Sequence, residues 1–223
     1  MVSTMRVFQN LEVAGDLPDL TRLVNAIEGK LSNGWTRDLQ REQEVKAYGP
    51  SYPSYCFFCD ARAQRPAAHL WLFLRRDKRC LKVGNIVPTA QSELSYDEYN
   101  LVLNEFFRFF VEREVDRLQL KASLSKADVT LEDFASPRTA ALLRTFSRTA
   151  NRSTGSSHPS DKEQWEEFVI SAHLLNDQIY TDILKRWFVE EEHWPSDEAV
   201  DLTIEYEQGR SLLKRYDSES ASR

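Results

Sequence analysis

The sequence predicts an α+β protein: a mainly antiparallel sheet of about five strands with two packed helices, followed by a helical C-terminal half. Three strand-like runs follow one another between Tyr55 and Val87, separated by short polar or proline-containing connections. A long apolar stripe at helical spacing comes next, and after Ser136 the pattern is helical only. We therefore expect an α+β sheet domain over residues 1–134 and a helical region packed on it over residues 135–223.

The N-terminal segment alternates between apolar and polar residues from Met5 to Val13, which predicts one strand. Apolar residues at helical spacing then predict a helix over 17–31. Residues 37–46 are polar and their secondary structure stays open. Residues 49–53, Gly-Pro-Ser-Tyr-Pro, predict a break in regular structure.

The central segment predicts three strands, over 55–62, 69–75 and 80–87, because these runs are rich in aromatic and aliphatic residues. The polar residues 76–79 between the second and third runs predict a hairpin turn. Within the third run, the Gly84-Asn85 pair predicts a bulge.

The next segment contains the clearest helix signal in the chain. Ser95 and Glu98 form a capping box, and an apolar stripe follows it as far as Phe110. We expect this helix to lie across the sheet. Alternating apolar residues over 118–124 predict one more strand.

The C-terminal segment contains three helix-start signals. Ser136 before Pro137 predicts an N-cap. Ser160 and Glu163 predict a second capping box, and Ser196 predicts the cap of a last helix.

The composition favours a folded protein outside the membrane. Hydrophobic residues make up 41% of the chain, and no apolar run approaches the roughly 18 residues of a membrane span. Residues 1–13 lack the pattern of a signal peptide, and three cysteines fit a reducing compartment better than a disulfide scaffold. We therefore expect a soluble cytoplasmic protein.

Charge is unevenly distributed along the chain. Between Asp161 and Gln208 there are 14 acidic and three basic residues, a net charge of −11, whereas the whole chain carries −6. Two basic islands lie over residues 61–92 and 135–159. This asymmetry fits a footprint for a nucleic acid or for a charged protein, but it also fits acidic helices that pair with the basic islands of the same chain.

One stretch, residues 144–158, predicts an anion site. Its three arginines are spaced at i, i+4 and i+8, and a loop rich in small hydrogen-bond donors leads from them to a helix N-terminus. The candidate ligand-binding residues are Arg144, Arg148, Asn151, Arg152, Ser153, Thr154, Ser156, Ser157 and His158. The alternative is an ordinary helix–loop–helix connection whose serines cap and whose arginines pair with acids.

The cysteines raise the question of a metal site with His69. Cys56 and Cys59 are three residues apart on a strand and therefore point to opposite faces. The hairpin register would place His69 and Cys80 roughly 17–20 Å apart, too far for a shared zinc ion. We therefore expect buried cysteines that act as small hydrophobic residues, and no metal.

Two weaker patterns remain. Glu44 and Lys46, with Asp38 upstream, have the E-x-K spacing of metal-dependent nucleases, in a stretch too short to be specific. Three aromatic residues of the predicted sheet would either line a ligand surface or belong to the core: Phe58, Trp71 and Phe73.

No nucleophile arrangement or cofactor motif is found, so we expect no catalytic residue and no cofactor. We interpret the chain as a non-enzymatic binding protein, such as an inhibitor, adaptor or antidote, that docks a basic partner through its acidic helical half. The alternative is a phosphate-, nucleotide- or nucleic-acid-binding protein, or an enzyme, that uses residues 144–158. Arginines paired with Glu166, Glu167 or residues 190–192 would favour the first interpretation, and exposed arginines that converge on the loop would favour the second.

Overall fold

The computed structural model describes residues 4–47, 53–90 and 92–221. The chain forms two compact units: a sheet unit, Val7–Ala127, and a helical unit, Asp128–Arg223 together with Met1–Arg6. The predicted α+β class and the helical C-terminal half are confirmed. Within the described ranges, no helix combines the length and the apolar character needed to cross a membrane.

The sheet unit is built on an antiparallel sheet with six strands in its described part, one more than the five predicted. Their order across the sheet is β3-β4-β5-β6-β2-β7. The strands are β2 (Leu11–Ala14), β3 (Trp35–Arg37), β4 (Ser54–Cys59), β5 (Ala68–Arg75), β6 (Cys80–Pro88) and β7 (Lys121–Leu124).

The single strand predicted from Met5 to Val13 is wrong, because the structure divides it. Strand β1 (Met5–Arg6) pairs with β8 (Asp128–Val129) in a separate two-stranded sheet of the helical unit, whereas β2 joins the large sheet. Between them, the Asn100 side chain accepts a hydrogen bond from the Gln9 amide at 2.7 Å and donates one to the Val7 carbonyl at 2.8 Å. These bonds satisfy the backbone where a strand would need a neighbour.

The polar residues whose structure the sequence left open form the short edge strand β3 and the helix α2 (Leu39–Ala47). None of the α2 residues is buried, so the helix has no apolar stripe that periodicity could detect. Asp38 lies between the two elements, and its Oδ1 accepts the Arg41 amide at 3.0 Å. The break predicted over residues 49–53 lies, except for Pro53, outside the described residues.

The hairpin between β5 and β6 is confirmed, because Arg75 pairs with Cys80 across the turn 76–79. The bulge is confirmed as well. Trp71 pairs with Asn85 but Leu72 pairs with Val83, so Gly84 is the extra residue. The ring of Phe73 lies over Gly84 and occupies the space that a Cβ atom would need.

One face of the sheet packs against two helical segments. Helix α1 (Leu17–Glu28) buries one apolar stripe, and α3 (Tyr96–Phe106) begins at the predicted capping box of Ser95 and Glu98. From α3, a π-helical turn (Phe107–Val111) leads into α4 (Glu112–Arg117). The side chains that form the centre of this core include Leu23, Ile27, Phe57, Leu70, Leu103 and Phe106.

The helical unit contains α5 (Pro137–Thr149), α6 (Pro159–Leu174), α7 (Thr181–Arg186) and α8 (Ser196–Ser220), with a π-helical segment after α7. The N-cap at Ser136 is confirmed, since its side chain accepts the Thr139 amide. The caps predicted at Ser160 and Ser196 are wrong: α6 begins after His158 and α8 after Pro195. Pro159 starts α6 two residues earlier than the predicted cap would, because its fixed φ suits the first helical position.

Aromatic rings form the centre of the helical unit. Phe146 of α5 lies 5.0 Å from Trp165 of α6 and 5.7 Å from Trp194, measured between ring centroids. Phe168 of α6 stacks on Tyr206 of α8 at 5.5 Å. The indole nitrogen of Trp194 donates a hydrogen bond to the Ser147 hydroxyl at 2.9 Å, so its polar atom is satisfied in the core.

Candidate functional site

The three arginines of the predicted anion site do not form one helical stripe. Helix α5 ends at Thr149, so it carries Arg144 and Arg148, while Arg152 lies in the following loop. Arg144 forms an ion pair with Glu132, and this hydrogen bond lowers the pKa of the Glu132 carboxyl. Arg152 donates to the His193 carbonyl at 3.5 Å. Arg148 is exposed and has no polar partner in the described part of the chain.

In the loop that follows, many polar groups form hydrogen bonds with other residues of the same loop. The Asn151 side chain accepts bonds from the amide and the hydroxyl of Ser153 at 3.0 and 2.9 Å. The backbone amides of Thr154 and Ser157 donate to the carbonyls of Asn151 and Thr154, and Gly155 adopts a positive φ of 54°. These bonds define a compact turn.

Carboxylates surround this loop. The buried Asp161 accepts the Asn151 amide at 3.2 Å, and Glu205 accepts the hydroxyl of the buried Ser156 at 2.5 Å. His158 is exposed, and its Nδ1 lies 2.8 Å from the Ser160 hydroxyl. Two negative groups within hydrogen-bonding distance would repel a bound anion. The anion site therefore stays a prediction in which, among the described residues, neither Arg148 nor Arg152 has a carboxylate partner and only Arg148 has no polar partner.

The acidic excess between Asp161 and Gln208 lies mostly at the surface and is mostly unneutralised. Nine of its carboxylate side chains are exposed. Glu166 pairs with Lys162 at 3.9 Å and Glu190 pairs with Arg186 at 2.8 Å. Within the described helical unit, no basic side chain forms an ion pair with the other seven. The acids therefore remain available to an external charge.

Helix α6 is apolar on two sides. Its inner side buries Trp165, Phe168 and Val169, and its outer side exposes Ile170 and Leu174 to 45% and 74%. Three glutamates share the outer side with these two apolar residues. We call this set the α6 surface: Glu163, Glu166, Glu167, Ile170 and Leu174.

Two grooves lie along the α6 surface and share Glu166 and Ile170. The first, of about 500 Å³, lies between α5 and α6, and Arg138 and the three glutamates line it together with Ile170 and Leu174. The second, of about 720 Å³, lies between α6 and α8, with Trp165, Val169 and Leu213 in its lining. An exposed helix between two grooves with apolar linings is a shape that a second helix or an extended segment can fill.

The second groove owes its form to Gly209. A Cβ atom at this position would lie 2.9 Å from a methyl carbon of Val169, so the missing side chain lets α8 approach α6 closely. Beyond this contact α8 continues to Ser220 with Leu212 and Tyr216 exposed. The His173 ring also joins α6 to α8, since its Nε2 lies 2.7 Å from a carboxylate oxygen of Asp217.

Comparisons of this chain with protein-family models, with curated proteins and with solved structures find no match. The geometry of the α6 surface is therefore the basis for a functional proposal.

In the sheet unit, the three aromatic residues of the predicted ligand surface lie on the face opposite the core. Phe58 pairs with His69, and directly paired residues share a face. Trp71 is buried and stacks on the partly buried Phe73, with centroids 6.5 Å apart and ring planes 12° apart. These rings pack mainly on their own neighbours.

The nuclease-like pattern of Glu44, Lys46 and Asp38 does not form a site. Glu44 and Lys46 are exposed on α2, where residues two apart point in different directions. Asp38 instead approaches His69, with Oδ2 and Nε2 3.2 Å apart.

Sequence reasoning missed the exposed apolar residues of α6. The helix and its end carry apolar side chains at 165, 168, 169, 170, 172, 174 and 175, and these positions go around the whole helix. One buried stripe cannot accommodate them all, so this arrangement is the signal that could have predicted an exposed apolar surface.

Proposed function

We propose that this chain is a binding protein that docks a basic protein partner through the α6 surface. The observation that carries the proposal is the pair of exposed apolar residues, Ile170 and Leu174, set among three glutamates and bordered by two grooves. The matching partner is an amphipathic segment, most simply a helix, with apolar side chains on one side and lysines or arginines beside them. An inhibitor, an adaptor or an antidote would all work in this way.

The apolar residues of the α6 surface would contribute mainly to affinity, and its acidic residues mainly to association rate and selectivity. Full burial of a leucine or isoleucine side chain contributes about 1.5–3 kcal/mol, so Ile170 and Leu174 would supply much of the affinity. Exposed carboxylates add little affinity individually, but they speed association and select a partner of opposite charge. A partner with few basic residues would therefore bind more slowly and less selectively.

The same charges argue against a nucleic acid at this surface, because phosphates would meet Glu163, Glu166 and Glu167. The alternative anion-binding function would have to use Arg148 and the loop after α5. One observation favours it, the exposed guanidinium of Arg148, and the carboxylates of Asp161 and Glu205 oppose it.

A defined peptide can stand in for the partner and test the proposal. The probe is a labelled amphipathic helix about 18 residues (about five turns) long, made of Leu and Lys, with a Leu–Glu peptide of the same length for comparison. Fluorescence anisotropy should show binding of the Leu–Lys peptide only, weakening as salt increases. The triple change Glu163→Gln, Glu166→Gln, Glu167→Gln and the single change Ile170→Ser should each weaken binding at least about fivefold.

A charge-matched control distinguishes the effect of the α6 glutamates on binding from the effect of the net charge of the protein. The changes Asp182→Asn, Asp201→Asn and Glu207→Gln also remove three exposed negative charges, but from positions on α7 and α8 that line neither groove. This control should bind the Leu–Lys peptide within about twofold of the unchanged protein. Equal weakening in the control and in the α6 variant would contradict a docking site. Binding of an oligonucleotide or pyrophosphate that requires Arg148 would support the alternative function.

A further inference from the structure

Three side chains with metal-binding atoms come together on the face of the large sheet that lies opposite the core. Asp38 follows β3 and its backbone amide bonds to the Cys56 carbonyl at 2.9 Å, which places it beside β4. Phe58 pairs with His69 of β5, so His69 lies diagonally across from Cys56 on the same face. Among the described residues, one carboxylate oxygen, one imidazole nitrogen and the thiol sulfur of these three lie within 4.8 Å of one another.

The surrounding structure leaves this group incompletely satisfied. Cys56 is fully buried and the His69 residue is 6% exposed. His69 Nε2 contacts Asp38, but its Nδ1 is buried and has no hydrogen-bond partner in the described part of the chain. Burial raises the pKa of the Cys56 thiol to about 12, with Asp38 and Glu42 adding to the rise and Arg41 opposing it. The described protein atoms therefore satisfy only one of the two ring nitrogens of His69, the one that contacts Asp38.

We propose that Asp38, Cys56 and His69 bind a divalent transition-metal ion of the zinc class. Thiolate, neutral imidazole and carboxylate are the three ligand types that zinc accepts, and together their charge of −2 balances the ion. Donor atoms around a tetrahedral zinc lie about 3.3–3.6 Å apart, so the group needs to contract by only about 1 Å. A sulfur ligand disfavours Mg²⁺ and Ca²⁺, which select oxygen.

Metal binding releases a proton from the site. The thiol of Cys56 releases its proton to solvent as the sulfur–metal bond forms, and His69 binds as the neutral imidazole. Burial and the nearby charge of Arg41 lower the pKa of the His69 imidazole, while the contact with Asp38 acts in the opposite direction. Asp38 is the most exposed of the three ligands, with a quarter of its side chain accessible, so solvent can reach the ion from its side.

The sequence indicated no metal because His69 and Cys80 were expected to lie far apart, and that expectation is correct. Cys80 pairs with Arg75 and His69 pairs with Val87, which separates the two by about 20 Å along the strands. Asp38 was considered only together with Glu44 and Lys46, because its place beside Cys56 depends on β3, a three-residue strand without a sequence signal. The proposal therefore replaces the expectation of no metal, and it does not depend on the proposed docking function.

Titration of the reduced, chelator-treated full chain with Co²⁺ and then Zn²⁺ tests the site. We expect one Co²⁺ per chain, a thiolate-to-cobalt charge-transfer absorption, loss of this absorption when Zn²⁺ displaces cobalt, and a higher melting temperature with Zn²⁺. Cys56→Ser should abolish the charge-transfer absorption. Asp38→Asn should weaken Zn²⁺ binding at least about tenfold, and asparagine retains the hydrogen bond that starts α2.

Cys80→Ser is the matched control, because Cys80 is also a buried cysteine of this sheet. This replacement should leave metal binding unchanged. An absorption spectrum without the thiolate band, or a Cys80 variant that loses it, would overturn the proposal. If Cys56→Ser fails to fold, as judged by circular dichroism, Asp38→Asn decides the matter. Zinc affinity unchanged in that variant would also overturn it.

Discussion

Arg65 shows how single residues organise the sheet unit. Its side chain is 2% exposed, and its guanidinium donates to Glu105 at 2.6 Å and to Asp60 at 2.8 Å. It also donates to the backbone carbonyls of Asn33 and Asp60, and it lies 5.3 Å from the centre of the Trp35 ring. One planar guanidinium, with its several donors, therefore joins the loops around the short β3 strand. The compact ammonium group of a lysine could not reach all of these acceptors.

At this scale we predict that Arg65→Met lowers the free energy of unfolding by about 3 kcal/mol, because two backbone carbonyls and two carboxylates lose a donor that is itself buried. Arg62→Met is the control, since Arg62 also pairs with Asp60 but is half-exposed, and it should cost no more than about 0.5 kcal/mol. Urea unfolding followed by circular dichroism measures both. Equal costs would show that the buried network of Arg65 is not what stabilises this region.

At the scale of elements, Glu114 links two helices of the sheet unit. It lies on α4 and accepts hydrogen bonds from Lys30, after the end of α1, and from Arg117. These bonds hold the pKa of the Glu114 carboxyl below its ordinary value of 4.5. Because the folded-state pKa is depressed, this contribution to stability is fully present above about pH 4.5 and is lost as the pH falls through the depressed value.

The corresponding prediction concerns Glu114→Gln. At pH 7 the variant should be less stable than the unchanged protein, and the difference should shrink as the pH falls below about 4.5 and through the depressed pKa of the Glu114 carboxyl, where the unchanged protein becomes protonated. Urea unfolding at a series of pH values measures this difference. A stability difference that stays constant over this range would mean that the ionised carboxylate does not contribute.

A second prediction at this scale concerns helix α6, whose inner side belongs to the core and whose outer side is proposed to bind the partner. Phe168 is fully buried against Trp165 and Tyr206, so Phe168→Ala should cost about 3–5 kcal/mol. Ile170 is nearly half exposed, so Ile170→Ser should change stability by less than about 1 kcal/mol while it weakens peptide binding. A large stability loss in the Ile170 variant would assign this residue to the core and remove it from the docking surface.

The sequence predicted those elements whose signals are local and strong. The capping box at Ser95 and the stripe that follows it define α3, and Gly84 marks the bulge correctly. Strand β3 and helix α2 were not predicted because β3 is three residues long and α2 buries nothing. The division between β1 and β2 depends on the side chain of Asn100, which is distant in the chain and cannot be seen by periodicity.

At the scale of the whole molecule, the charge asymmetry follows the two compact units. Val7–Ala127 contains 17 basic and 16 acidic residues, a net charge of +1, while the remaining residues contain 12 and 19, a net charge of −7. Composition therefore predicted which part of the chain is acidic. It could not predict that Ile170 and Leu174 stand exposed among those acids, because exposure depends on how α5, α6 and α8 pack together.

The most direct test of the docking function is a reversal of charge on the α6 surface. In the variant Glu163→Lys, Glu166→Lys, Glu167→Lys, anisotropy titrations with the two amphipathic peptides should show an inverted preference, with loss of the Leu–Lys peptide and gain of the Leu–Glu peptide. Circular dichroism should confirm that the variant remains folded, since all three side chains are exposed. A folded variant that still binds the Leu–Lys peptide with unchanged affinity would contradict the claim that this surface selects a basic partner.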